Sequence, residues 1–482
     1  MENPRPSLVR NLGLLTTTAI VVGSVIGSGI FKKPAVMAAQ LGSGELLLLV
    51  WIVAGVLTLF GALTNAEIAG MIPVTGGQYE FFRRMFGDFT GYLYGWAVFA
   101  VIQTGSIASI SYIFAEYAEV FVALPRFPPD IEQAVVLNVP MLGTITPLAN
   151  IGVKALTILL VCGLTTVNYL GVRFGGAVQV TFTTLKVVAI LVLVAAGFFL
   201  TARIADPAPV AQVVSHSGVP MILAFAAAMS GAFWAYDGWN NITYVAGEVR
   251  DPQRTVPRAL FIGTGIIIAV YVLTNLAYLH VLPVEAMAGS QLVAADMANA
   301  VMGSAGSAFV AAAVMISTFG TANGTILASA RVYFAMSNRG RFFRPIGNIH
   351  PVFRTPGNAL LLQAAWTSLL VLSGTFDTLT DMLIFVSWVF YALGAAGIFV
   401  LRRTMPDAPR PYRVWGYPFV PAIFVLVATV YVALTLWNDI TAFQRGEVPM
   451  VNSVFGLLLV ATGIPFYLAF RRRPAIEGDL TE

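Results

Sequence analysis

Charge is what this sequence has least of. Only 10% of its 482 residues are Asp, Glu, Lys or Arg, while 58% are hydrophobic and the mean hydropathy is +0.81. A water-soluble surface needs about 25% charged residues. This chain cannot coat itself for water, so its outer solvent is lipid. Cysteine is scarcer still: Cys162 stands alone in an apolar run, which excludes an intrachain disulfide. The three histidines, His216, His280 and His350, are far apart in the chain. No cluster with metal-ligand spacing and no nucleophile–base constellation is found, so no metal, no cofactor and no enzymatic chemistry are expected. The phosphate-binding Gly-x-x-x-x-Gly-Lys-Ser/Thr loop is missing, so any transport would be secondary rather than ATP-driven. The period-two alternation of a membrane barrel is also missing. Lysine is rare and arginine dominates a net charge of +4. The cations sit in loops between apolar runs, where they set topology; nucleic acid is not an expected partner.

What is present is a series of apolar runs near or above the ~20 residues that cross a bilayer. They predict an all-α membrane protein of twelve transmembrane helices, near 12–40, 44–72, 87–124, 152–171, 176–201, 219–248, 256–282, 305–338, 357–374, 379–402, 416–437 and 450–471. The Gly/Ala-rich segment 284–304, with Asp296, reads as a loop with short helices. With the N-terminus inside, the inner loops hold most of the arginines, from Arg5 and Arg10 through Arg83, Arg84, Arg173, Arg250, Arg254 and Arg258 to Arg402, Arg403, Arg410, Arg413 and Arg471–Arg473. The outer loops hold little beyond Arg126, Arg203 and Arg445. That asymmetry follows the positive-inside rule and places both termini in the cytoplasm. No cleavable leader is apparent, because the first run continues into Lys32-Lys33-Pro34. Those two lysines either attract substrate at an outer vestibule or snorkel to the interface.

Two runs are interrupted in mid-membrane. Gly27-Ser28-Gly29 breaks the first, and Trp234-Ala235-Tyr236-Asp237-Gly238-Trp239-Asn240 breaks the sixth. Lipid cannot satisfy backbone groups freed by such a break, so each must line a cavity. Two breaks at corresponding places in two halves point to a transporter's binding site. Helices 1–5 (12–201) and 6–10 (219–402) each begin with a broken member and contain a long third one. Five is odd, so the second repeat runs inverted, with 416–471 outside both repeats of a single 1–482 transporter domain.

The freed N–H groups at Ser28, Gly29 and Ile30 open the N-terminus of a half-helix, a ready anion site. Open carbonyls near Val25 suit a cation. A carboxylate and an ammonium one carbon apart satisfy both, which is the backbone of an α-amino acid. The competing account is a small-residue helix contact. Asp237 is an ionisable group in mid-membrane. It faces a substrate amine, a basic side chain or a proton, or else it braces unwound backbone. Trp234, Tyr236 and Trp239 are candidates to close over a substrate or simply to pack. Lys186 lies deep in an apolar run; it either takes the place of a bound sodium ion as a fixed charge or sits at an interface. Glu67 and Glu248 are candidates to pair with inner-loop arginines as a cytoplasmic gate, or as plain structural ion pairs.

These motifs resemble the amino acid–polyamine–organocation (APC) superfamily, and within it the L-type amino acid transporters. The resemblance runs nearly end to end: Val25-Ile26-Gly27-Ser28-Gly29-Ile30-Phe31, Ala66 to Pro73, Gly76-Gly77-Gln78-Tyr79, Trp234 to Asn240, Gly247-Glu248-Val249, Pro257, Ser317 to Gly324 and Arg410-Pro411-Tyr412-Arg413. It implies a leucine-transporter-like fold of 5+5 inverted repeats and sodium-independent exchange of amino acids in a plasma (inner) membrane. Carried over by position, Ser28 and Gly29 hold the substrate carboxylate, and the carbonyls of Val25 and Trp234 hold its ammonium. Ile26, Gly27 and Ala235 complete the backbone site. Trp234 is the aromatic gate, Lys186 takes the place of sodium, and Ser106, Asn240 and Trp388 are pocket positions. Asp237 replaces a small residue and is similar to the cystine and dibasic exchangers, which extends a neutral range toward cationic substrates. The loop 125–151 lacks the cysteine through which light chains bind a heavy chain, so no disulfide-linked partner is expected. The alternative is a proton-coupled amino acid or polyamine symporter using Lys186 or Asp237. A non-transporting sensor fits less well, because no signalling domain is seen.

Overall fold

The computed structural model describes residues 8, 10–139, 143–200, 219–290, 292–373, 376–446 and 451–471. Arg5, Arg203, His216, Arg472 and Arg473, and the expected boundary positions 201, 374 and 450, lie outside the described residues.

Apolar runs without water leave the backbone only itself to bond with, and helices are the result. Ten of them are long and apolar enough to cross a membrane, from Leu14–Leu41 to Asn452–Phe470. The expected sixth and ninth helices are present but shorter, at Met221–Tyr236 and Gly357–Leu372. Segment 284–304 forms two short helices, Val284–Gly289 and Val293–Met302. A small antiparallel pair, Leu137–Val139 with Gly143–Ile145, decorates the loop before Ile151–Tyr169.

Burial separates centre from rim. In Asp88–Ala118 the apolar window is 89% buried, whereas in Phe419–Gln444 and Asn452–Phe470 it is 28%. The rim helices turn Leu426, Trp437, Phe199 and Leu159 outward. Exposed side chains of that size are stable against lipid tails rather than water.

The first span is two half-helices, Leu14–Val25 and Gly29–Leu41, joined through Ile26–Ser28. Leu14–Val25 packs among Val172–Phe199, Pro252–Val281 and Ala305–Asn338, while Gly29–Leu41 packs on Val219–Tyr236. The second break separates Val219–Tyr236 from the short helix Asn241–Tyr244. At the end below both breaks, Leu12 donates to Glu248 O and accepts from Arg250 N, tying the entry to the first half-helix to the exit from the second break.

A π-helical turn, Val98–Ile102, interrupts Asp88–Ala118. Its freed carbonyls are capped by side chains: Thr104 Oγ1 donates to Phe99 O at 2.6 Å and Trp366 Nε1 to Ala100 O at 3.3 Å. Such a turn rotates the next stretch of helix about its axis, here the one carrying Gln103 and Ser106.

Candidate functional site

The two breaks touch. A methyl group on Gly29 would lie 2.7 Å from the Cα and Cβ of Ala235, and one on Gly238 would lie 2.7 Å from Ser24 O. Gly238 also has φ +102°, a conformation that suits glycine. Backbone therefore meets backbone at mid-bundle, and a cavity with about 360 Å³ of empty space opens beside the contact.

Val25, Gly27, Ser28 and Gly29 line it from the first break, Trp234, Ala235 and Asp237 from the second, and Ser106 from the helix behind the π turn. All eight are expected from the sequence. Among the described residues, the amides of Gly27, Ser28, Gly29 and Ile30 have no hydrogen-bond acceptor; the first amide of this half-helix to find one is Phe31 N, at Ser28 O. The Ser28 hydroxyl is buried and likewise has no partner. Consecutive open donors beside a cavity are an anion cradle without an anion's counter-cation.

The carbonyls at the same break are held differently. Lys186 is fully buried, and its Nζ donates to Ile26 O at 2.6 Å, Gly23 O at 3.0 Å and Thr321 Oγ1 at 2.7 Å. Ser317 and Thr321 add donors to Ile26 O at 2.9 and 2.8 Å. An ammonium thus occupies the carbonyl end of Leu14–Val25, where a helix terminus favours positive charge. Ile26 is consequently turned toward Lys186 and is not on the cavity wall. The Tyr271 hydroxyl bridges the two breaks, 2.8 Å from Ala235 O and 3.1 Å from Val25 O. Trp234 O accepts from Asp237 N at 3.2 Å.

Asp237 is half-buried at the cavity edge and accepts a 2.7 Å hydrogen bond from Tyr391. Asn240 and Trp388 are off the cavity wall. Asn240 bonds Gln78 Oε1 and the Tyr244 hydroxyl, and Trp388 stacks on Phe233 and Phe424. Asn241, Ser24, Thr321 and Thr325 line the cavity instead. A four-residue turn resets the direction of the chain, so helical counting across 237–240 misplaces the asparagine by one. Tyr271 and Tyr391 carry no signal in sequence beyond being polar tips in apolar runs.

The acidic residues find arginines. Glu67, fully buried, pairs with Arg402 at 2.7 Å and Arg410 at 3.4 Å and accepts from Val414 N at 2.6 Å. Glu248 pairs at 2.6 Å with Arg331, and both are fully buried. Its partner is therefore a helix residue, not one of the inner-loop arginines. Glu80 pairs with Arg83 and Arg339, and Asp88 with Arg341. At the opposite end, Lys32 and Glu116 stand 3.9 Å apart, both partly exposed.

A helical bundle with two interrupted spans meeting at a central cavity is the architecture of a membrane permease. The chain belongs to the amino acid permease family of the APC superfamily: the family model described as "Amino acid permease" matches residues 12–463. It is 29% identical over 478 residues to the serine/threonine exchanger SteT of Bacillus subtilis (strain 168), covering 98% of this chain and 100% of that one. It is 30% identical over 465 residues to b(0,+)-type amino acid transporter 1 of Mus musculus (96% and 88%). It is 31% identical over 484 residues to large neutral amino acids transporter small subunit 2 of Rattus norvegicus (99% and 84%).

Proposed function

We propose that this protein is a sodium-independent amino acid exchanger of neutral L-amino acids, with Asp237 extending its range to cationic ones. Twelve spans form one domain, with 12–201 and 219–402 as inverted repeats in a leucine-transporter-like fold. Both termini are cytoplasmic, and the membrane is the plasma (inner) membrane. The observation that carries the reading is the division of labour at the first break. Its carbonyl end already holds the buried Lys186 ammonium, while its amide end is open to the cavity. The substrate carboxylate binds the amides of Gly27, Ser28 and Gly29. Its ammonium binds the carbonyls at the ends of the two half-helices, Val25 and Trp234, displacing or sharing the Tyr271 hydroxyl. A fixed ammonium where a sodium ion would sit removes the need for that ion in the cycle. Trp234 closes over the bound substrate, and rocking of the bundle about the filled site exposes it to the other side. The relatives' names, a serine/threonine exchanger and two amino acid transporters, support the substrate class. No covalently attached partner chain is required.

The test is uptake of labelled amino acid into proteoliposomes without sodium and without a pH gradient. Uptake only into vesicles preloaded with unlabelled amino acid is the expected result. Uptake into empty vesicles under a proton gradient, indifferent to loading, would instead make this a symporter.

A further inference from the structure

The π turn Val98–Ile102 has no local cause. Its residues are Val, Phe, Ala, Val and Ile, with no glycine or proline to break a helix. All five are buried, so carbonyls freed here cannot turn to water and need partners inside the bundle. The turn is held from outside. Gln103 N donates to Val98 O and closes the wide turn. Thr104 Oγ1 donates to Phe99 O, and Trp366 Nε1, reaching across from Gly357–Ser373, donates to Ala100 O. The Trp366 ring also stacks on Phe99, with centroids 5.7 Å apart.

The turn sets the register of its helix against the second break. Tyr94, before the turn, meets the Tyr244 hydroxyl, and Gln103, after it, donates from Nε2 to Asn241 Oδ1 at 2.9 Å. Both partners belong to the short helix Asn241–Tyr244. Tyr94 and Gln103 are nine positions apart, which in an unbroken α-helix is about two and a half turns and puts them on opposite faces. The extra residue of a π turn sets the helix beyond it back by roughly 100°, and both side chains then reach the same short helix. Ser106 and Ile110 follow Gln103 at i+3 and i+7, on the same face, and line the central cavity. If the turn tightened into an α-helix, that face would swing away. Ser106 would leave the cavity wall, and Gln103 would leave Asn241, itself a cavity residue.

We propose that Trp366 and Thr104 are positioning residues for substrate recognition: by holding the carbonyls of the π turn they keep Ser106 and Gln103 in phase with the second break. Neither is among the described residues that line the cavity, so both act through the helix they hold. The proposal rests on the exchanger reading of that cavity and extends it to two side chains behind its wall.

The experiment is labelled-alanine exchange in proteoliposomes of the full chain, with KM and kcat measured separately. Trp366→Phe keeps a ring on Phe99 and removes the N–H. Thr104→Val keeps the volume and removes the hydroxyl. In each, KM should rise about five-fold or more, one hydrogen bond's worth, with kcat changed much less. Thr104→Ser, which retains a hydroxyl, should restore the wild-type KM. Because Trp366 acts through Ser106, combining Trp366→Phe with Ser106→Ala should raise KM by less than the product of the two single effects. The two donors lie on different helices, so a folding defect in one variant leaves the other to decide. An unchanged KM in the variants that fold, a Thr104→Ser variant as impaired as Thr104→Val, or effects of Trp366→Phe and Ser106→Ala that simply multiply would overturn the positioning role and leave the exchanger intact. Wild-type uptake that ignores internal loading would overturn the exchanger reading alone, and the same KM comparison would still decide the positioning. No uptake at all by the wild-type chain would overturn both.

Discussion

The two breaks solve the same problem in opposite ways. At the first, Lys186, Ser317, Thr321 and Tyr271 hold the carbonyls of Gly23, Val25 and Ile26, while the amides from Gly27 to Ile30 have no acceptor among the described residues. At the second, the side chains of Asp237, Tyr391, Asn240, Gln78, Tyr94 and Tyr244 bond one another in a network. The first break offers backbone, which any α-amino acid matches. The second offers side chains, which on the proposed reading select among amino acids. On the exchanger reading proposed above, most of the selection among side chains falls on the second break, so it can change while the carboxylate cradle of the first stays.

Substitutions can break that contrast. The largest effect is expected from Ser28→Trp, which fills the amide cradle. Isothermal titration should detect no substrate binding in protein that remains monodisperse. Unchanged affinity would remove the first break from the substrate site. Next is Lys186→Met, which strips the donor from the carbonyls of Gly23 and Ile26 and from Thr321. Ile26 O keeps Ser317 and Thr321 as donors but Gly23 O loses its own; an orphaned buried acceptor costs about 1–3 kcal/mol, so exchange should fall below about a tenth of wild type and thermal stability should fall with it. A variant that exchanges normally and gains no proton dependence would show that the ammonium is not what fixes the break.

Asp237→Ala sharpens the contrast from the other side. Competition by lysine should weaken about ten-fold, the loss of one charge-assisted bond, while competition by alanine changes much less. Equal losses would make Asp237 a brace for the backbone rather than a selector. The smallest effect is Gly238→Ala. The left-handed φ and the approach to Ser24 O predict a loss of about 1–3 kcal/mol of stability, read as a lower unfolding temperature, with the order of substrate preference unchanged.

How much of this the sequence carries differs between the breaks. The first is legible because glycines around a serine inside an apolar run have few other uses, and because a lysine deep in a helix needs acceptors that only a broken helix provides. Lys186 and the open amides are accordingly where the residues pointed. The second is legible only up to Asp237. Its network depends on Tyr391 and Gln78, which are 154 and 159 positions away from Asp237 in the chain. Tyr391 sits in a long apolar helix that does not show which residue it faces, and the amphipathic pattern of Gln78–Phe86 shows a buried face but not the partner of Gln78. Trp388 is misplaced for the same reason: one turn of helix separates a pocket wall from an aromatic stack. Arg331 is silent in sequence because its helix is apolar enough to read as membrane, and a buried arginine there makes sense only once Glu248 is seen beside it.

The central claim is that the first break recognises the two charged poles of an α-amino acid together. The most direct test is inhibition of exchange by one amino acid and by its two truncated analogues, the amine lacking the α-carboxylate and the acid lacking the α-amine. The account predicts that the amino acid inhibits and neither analogue does at comparable concentration, because each leaves either the amides of Gly27–Gly29 or the half-helix carbonyls unmet. Full inhibition by the decarboxylated amine would contradict it: the amide cradle would then be no carboxylate site, and the chain would belong with transporters of amines.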